Sequence, residues 1–217
     1  MTEEFSKAYW EDRYHGHTAG HGRPPNPHLV AETSALTPGT ALDAGCGEGA
    51  EAIWLAARGW QVTAVDIAES ALRHARSHAQ AAGETVAGRI EWRRADLSGW
   101  TPPAQRYDLV CSHYVHPAAS RESLAARLAA AVAPGGTLLI VGHHPSDRRP
   151  GVSDAAVRDV HFTADEVAAV LDPDQWEIVA AESRHRPATG PDGHGDHGHH
   201  GHGHTLHDTV LRARRLP

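Results

Sequence analysis

Residues 43–66 read DAGCGEGAEAIWLAARGWQVTAVD: three glycines at alternate positions, an acid before them, one among them and one closing the stretch. Gly45, Gly47 and Ala50 satisfy the G-x-G-x-x-G/A fingerprint of dinucleotide binders. Gly45, Gly47 and Gly49 also satisfy a tighter G-x-G-x-G. Glycines in such a turn bring backbone N–H groups up to a ligand with no Cβ in the way. Asp66 ends the next apolar run, where a carboxylate takes both hydroxyls of a ribose. Charge separates the two fingerprints. A dinucleotide lays an anionic pyrophosphate over the helix N-terminus, which Asp43 and Glu48 oppose. The same acids suit a cationic ligand, and Asp96 adds an acceptor for an adenine amino group.

Histidine is the second chemical signal: there are 19 in 217 residues. SHYVH places His113 and His116 at one strand exit, and VGHHP places His143 and His144 at another. Three readings stay open for these four: a general base, a metal site, or hydrogen-bonded wall residues without chemistry. His161 is a weaker addition, and His74 and His78, one helical turn apart, read as an exposed helix face. Between Pro191 and His204 glycine alternates with His194, His197, His199, His200, His202 and His204. Such a chain wraps a Zn²⁺, Ni²⁺ or Cu²⁺ ion with little strain.

These residues need a scaffold that brings them to one edge. Residues 3–14 read as a short amphipathic helix, 15–28 as a Gly/Pro-rich loop and 29–36 as a second helix. Strands follow at 40–44, 61–67, 89–97, 107–115 and 137–144, with helices over 50–59, from 69 to about 82, 120–136 and 163–171. Thr163 and Glu166 compose a capping box for the last helix. The pattern predicts an α/β doubly wound, mostly parallel seven-stranded sheet, Rossmann-like, with helices on both faces. Strands at 176–184 and 205–215 have no helix between them and are expected to form an antiparallel C-terminal hairpin. A doubly wound sheet binds its ligand at the carboxyl ends of its strands.

The formal charge is −7, and no basic stripe suggests a nucleic-acid partner. Cys46 and Cys111 each lie in an apolar run and form no C-x-x-C pair, which fits a reducing, cytoplasmic setting. The opening MTEEFSKAYWEDRY lacks the apolar core of a secretory signal, and no run is long enough for a membrane span. One domain is the natural reading for this length.

The stretch ALDAGCGEGAEAIWLAARGWQVTAVDIAESAL resembles motif I through the second-strand acid of class I S-adenosylmethionine-dependent methyltransferases. WRRADL resembles their adenine-binding segment, and AVAPGGTLLIV their helix and fifth strand. The resemblance covers about residues 38–215 and implies a domain over 38–217 that binds S-adenosyl-L-methionine. The cofactor-binding residues it implies are Asp43, Gly45, Cys46, Gly47, Gly49, Asp66, Ile67, Ala95, Asp96, Leu97 and Ser112. The front end, YWEDRYHGHTAGHGRPPNPHLV, resembles the opening of the small tellurite-resistance and thiopurine-type methyltransferases. That implies an N-terminal lid and substrate segment over 1–37, with Trp10, Arg13, Tyr14 and Asn26 as its candidate residues. A small-molecule methyl acceptor follows, with a thiol or a chalcogen or metalloid nucleophile as the first expectation. The rival from another class is a metal-binding or metal-sensing protein that keeps the fold.

Overall fold

The computed structural model describes residues 6–15, 22–116, 120–146, 161–187 and 205–217. Strands β1 (Thr40–Ala44), β2 (Gln61–Asp66), β3 (Ile90–Arg94), β4 (Tyr107–His113), β5 (Val132–His143), β6 (Trp176–Pro187) and β7 (Thr205–Arg215) form one sheet in the order β3-β2-β1-β4-β5-β7-β6. The first five run parallel, and β7 lies antiparallel between β5 and β6. The expected hairpin is therefore present, with its second strand inserted next to β5.

Helices α1 (Lys7–His15), α2 (Pro27–Thr33), α3 (Ala50–Ala57), α4 (Glu69–Ala81), α5 (Glu84–Ala87), α6 (Arg121–Ala131) and α7 (Ala164–Ala168) accompany the sheet. Side chains alternate between the two faces and consecutive residues of the central strands are buried, so each face closes its own core. On one face Leu42, Val65, Val110 and Leu138 meet Leu124 and Leu128 of α6 and Val167 of α7. On the other, Ala41, Val62, Leu109 and Leu139 meet Leu29 of α2, Leu55 of α3 and Leu72 of α4.

Several boundaries differ from the sequence reading. Helix α6 stops at Ala131, short of Pro134, because a residue before proline is pushed out of the helical region. Val132 then enters the sheet opposite Tyr107, so β5 begins five residues earlier than the sequence suggests. The last helix, α7, ends at Ala168, and Val170 and Leu171 continue it only as i→i−3 turns. The Thr163–Glu166 capping box is present. The single turn α5 was not expected, and the β3–β4 connection, residues 95–106, contains no helix. No helix among the described residues is long and apolar enough to cross a membrane.

Candidate functional site

The glycine turn leaves β1 and enters α3. Gly45 N and Cys46 N both donate to Val65 O, tying the turn to β2. Gly47 has φ +49, and a Cβ there would come 3.1 Å from the Tyr14 hydroxyl. Gly49 has φ +85 and serves as N-cap of α3, and a Cβ on it would come 2.6 Å from the Trp92 ring. Both positions demand glycine, one for close approach across the turn and one for packing.

Asp66 is buried and holds the turn: its Oδ2 accepts from Gly47 N at 2.8 Å and its Oδ1 from Ala68 N at 2.9 Å. Burial nevertheless raises its pKa, as it does for Asp43 and Glu51. Glu48 pairs with His74 at 3.0 Å, and its carbonyl lies 3.2 Å from His78 Nδ1. His74 and His78 are half-buried against the turn, not on an exposed face, which corrects the sequence reading. Asp43, Glu48, Glu51 and Asp66 thus cluster at the turn, with Arg23 acting on Glu51 from outside it. That donor set fits a cationic ligand with a ribose and fits a diphosphate badly.

The other expected cofactor residues scatter around this centre. Cys46 and Leu97 are buried, and Ile67 and Ala95 are half-buried. Ala95 N donates to Asp66 O, which brings the β3 exit beside the β2 exit. Asp96 is exposed, and its Oδ1 accepts from Ser98 N at 2.8 Å. Ser112 lines a mostly apolar cavity between β4, β5, α6 and α7, with Val115, Ile140 and Phe162.

Helix α1 buries no residue of its own, yet it is fastened across the turn. Glu11 accepts from Glu69 N at 2.9 Å and from Ser70 N at 3.0 Å, capping α4, whose own N-cap Ala68 offers no side chain. Burial would raise the Glu11 pKa, but these two amides and the Ser70 hydroxyl outweigh it and hold it down to about 2. Tyr14 lies against Gly47; burial first, and then the Asp66 charge, push its hydroxyl pKa up. Trp10 stacks on His116 at 6.1 Å between centroids, and the Arg13 guanidinium lies 5.7 Å from the Trp10 ring. Asn26 is a bracket: its Oδ1 caps α2 through His28 N, its N–H donates to Glu51 and its Nδ2 to the Tyr114 hydroxyl.

The four strand-exit histidines divide three ways. His116 stacks on His143 at 5.9 Å, and His143 lies 5.6 Å from His161 and 4.8 Å from Tyr114. His113 points elsewhere, into the interior beside Asp43 and Cys111. His144 turns toward Ser146, which also contacts His207 at the root of the final hairpin. His194, His197, His199, His200, His202 and His204 lie outside the described residues.

Several residues escaped the sequence reading. Tyr114 adopts φ +52, a costly conformation for a non-glycine residue, directly beside His143. Asp208 is fully buried and accepts from Arg186 at 2.6 Å, with His28 Nε2 at 3.0 Å. Burial works against its charge, but His28, Arg186 and Tyr114 hold its pKa below the usual carboxylate range. The signal was an acid flanked at i−2 and i+2 by Leu206 and Val210, on the face of a strand that goes inward.

Residues 41–136 match a family described as a methyltransferase domain. The trans-aconitate 2-methyltransferase of Paracidovorax citrulli is 33% identical over 140 residues, covering 63% of this chain and 50% of that protein. The 2-heptyl-1-hydroxyquinolin-4(1H)-one methyltransferase of Mycobacteroides abscessus is 29% identical over 165 residues, covering 68% and 69%. Against most of these curated relatives the chain spans about half of their length. A solved S-adenosylmethionine-dependent methyltransferase from Methanosarcina mazei superposes with a TM-score of 0.62 at 18% identity, covering 89% of this chain and 99% of that one. Residues 41–136 thus carry a methyltransferase domain, on a sheet that folds like that of solved S-adenosylmethionine-dependent methyltransferases.

Proposed function

We propose that the chain transfers a methyl group from S-adenosyl-L-methionine to a small acceptor enclosed beneath α1. The observation that carries this reading is the clamping of α1 over the glycine turn. It brings Trp10 of α1 onto His116, from which a run of rings continues through His143 to His161. Residues 1–37 are in this reading the lid and substrate segment, and 38–217 the donor-binding domain. Asp66 grips the donor's ribose, the glycine turn admits its chain, and the Glu48 and Glu51 carboxylates attract its charge. When bound, the donor supplies a methyl group on a sulfonium that departs as a neutral thioether.

The protein's part is chiefly alignment, which is worth up to ~7–11 kcal/mol in well-oriented reactions. The acceptor's lone pair forms the new bond to the methyl carbon as the carbon–sulfur electrons pass to sulfur. If the acceptor carries a proton, His116 or His143 takes it on a ring nitrogen. A thiolate or a chalcogen anion needs no such base, and these remain the first acceptor class, on the resemblance of the front segment. A second class is favoured by the stacked imidazole and indole rings: a flat, hydroxylated aromatic, which the Mycobacteroides relative's name also describes. In the same reading the Gly/His segment 191–204 captures Zn²⁺, Ni²⁺ or Cu²⁺, supported by its residue alternation alone.

The test is calorimetry of S-adenosylmethionine binding, followed by release of S-adenosylhomocysteine across thiols, chalcogen oxyanions, phenols and imidazoles. Micromolar binding lost in Asp66→Ala, with turnover of at least one class, is expected. Absence of donor binding alongside tight uptake of Zn²⁺ or Ni²⁺ would instead establish the metal-sensing rival.

A further inference from the structure

We propose that Asp43, Cys111 and His113 form a buried Zn²⁺ site between β1 and β4, separate from the imidazoles that face the acceptor. One carboxylate oxygen, one sulfur and one ring nitrogen from these residues all lie within 4.8 Å of one another. The ladder places them there. Asp43 pairs directly with Cys111 across the parallel β1–β4 register, and His113 follows Cys111 by two, on the same face. Cys111 Sγ stands 3.9 Å from Asp43 Oδ1. Ligands of a tetrahedral zinc ion stand roughly 3.3–3.8 Å apart, given bonds of about 2.0–2.3 Å. Side-chain rotation closes that difference while the hydrogen-bonded backbone stays in place.

Unmet polar atoms point to the same ion. Asp43 Oδ2 and both ring nitrogens of His113 are buried with no hydrogen-bond partner among the described residues. Native interiors rarely leave three such atoms together, and a bound ion is one of the standard reasons. The donor set is chemically selective. Sulfur, imidazole nitrogen and one carboxylate suit zinc, whereas calcium and magnesium take oxygen ligands. Charge also balances, because thiolate and carboxylate neutralise a divalent ion while imidazole stays neutral. Loading releases the Cys111 proton, and that of Asp43 where it is protonated, to solvent.

Co²⁺ is the probe, because thiolate ligation gives an intense near-ultraviolet charge-transfer band that imidazoles alone do not. The His-rich segment contains no cysteine and cannot produce that band, and the chain has only 2 cysteines. The full-length protein, produced in cobalt-supplemented medium, is expected to show the band at one thiolate-bound ion per chain. Cys46→Ser should keep it and Cys111→Ser should lose it. Should Cys111→Ser fail to fold by circular dichroism, His113→Gln serves instead, with the band shifted and affinity at least about tenfold weaker. A chain without the band, a band that survives Cys111→Ser, or a His113→Gln spectrum identical to wild type would each overturn the site. Donor binding is measured on the same samples, so failure of the zinc site and failure of the methyltransferase reading are distinguished.

Discussion

Replacing Glu11 with alanine removes the clamp that holds α1 across the glycine turn. Two amides at the start of α4, Glu69 N and Ser70 N, lose their acceptors, and Ala68 cannot substitute for them. Helix-capping contacts of this kind are worth about 0.5–2 kcal/mol. Helix α1 has 9 residues and buries none of them, and isolated helices shorter than about 12–15 residues are marginal in water. A loss of 1–2 kcal/mol is a factor of about 5–30 in a two-state population. Apparent donor affinity falls in proportion to the docked fraction. The expected result is therefore faster amide exchange over residues 7–15 and a donor Kd raised more than twofold, up to a ceiling of about 5- to 30-fold, with α4 still folded. The same clamp carries a pH signature. Its folded carboxyl pKa of about 2 lies below the ordinary 4.5, so its contribution is complete above pH 4.5 and disappears as pH falls toward 2. The difference between wild type and Glu11→Gln should shrink to nothing over that window. Unchanged exchange over 7–15, with a donor Kd within twofold of wild type, would refute the reasoning.

Three further outcomes are expected. Gly49→Ala must place a Cβ 2.6 Å from Trp92 at φ +85, so a loss of about 2–4 kcal/mol should appear in urea unfolding; a change under about 0.5 would contradict the packing. Asp208→Ala leaves Arg186 and His28 facing each other without their acid and should cost about 3–5 kcal/mol, which a small shift in urea midpoint would disprove. His116→Ala and His143→Ala should lower turnover of a protonated acceptor by about 10²–10⁴-fold with donor affinity intact, whereas wild-type rates would leave both rings as wall.

Much of the scaffold was written locally. The β1 range, the Asp66 terminus of β2 and the Thr163 cap are set by neighbours a few residues away, and periodicity reports such neighbours faithfully. Pro134 was equally visible, but its reach backwards over the preceding residue shortened α6 beyond the apolar pattern. The histidines resisted for a different reason. Strand exits can be read from the chain, but the direction of each side chain depends on the last residues of the strand and the φ of the turn that follows. His113 follows the β4 alternation inward, whereas Tyr114 at φ +52 re-aims the chain after it, so that His116 meets His143.

What the amino-acid order alone determined is the architecture and the character of the ligand. Alternating apolar runs require a doubly wound sheet, and glycines among carboxylates at its first turn select a cation over a diphosphate. Which residues serve that turn was decided only in three dimensions. Glu11 caps a helix 58 residues away, Asp43 meets a thiol 68 residues away, and Asn26 reaches Tyr114 across 88. Contacts over such separations depend on strand order and register. Those are properties of the folded sheet, and no short window of the chain contains them.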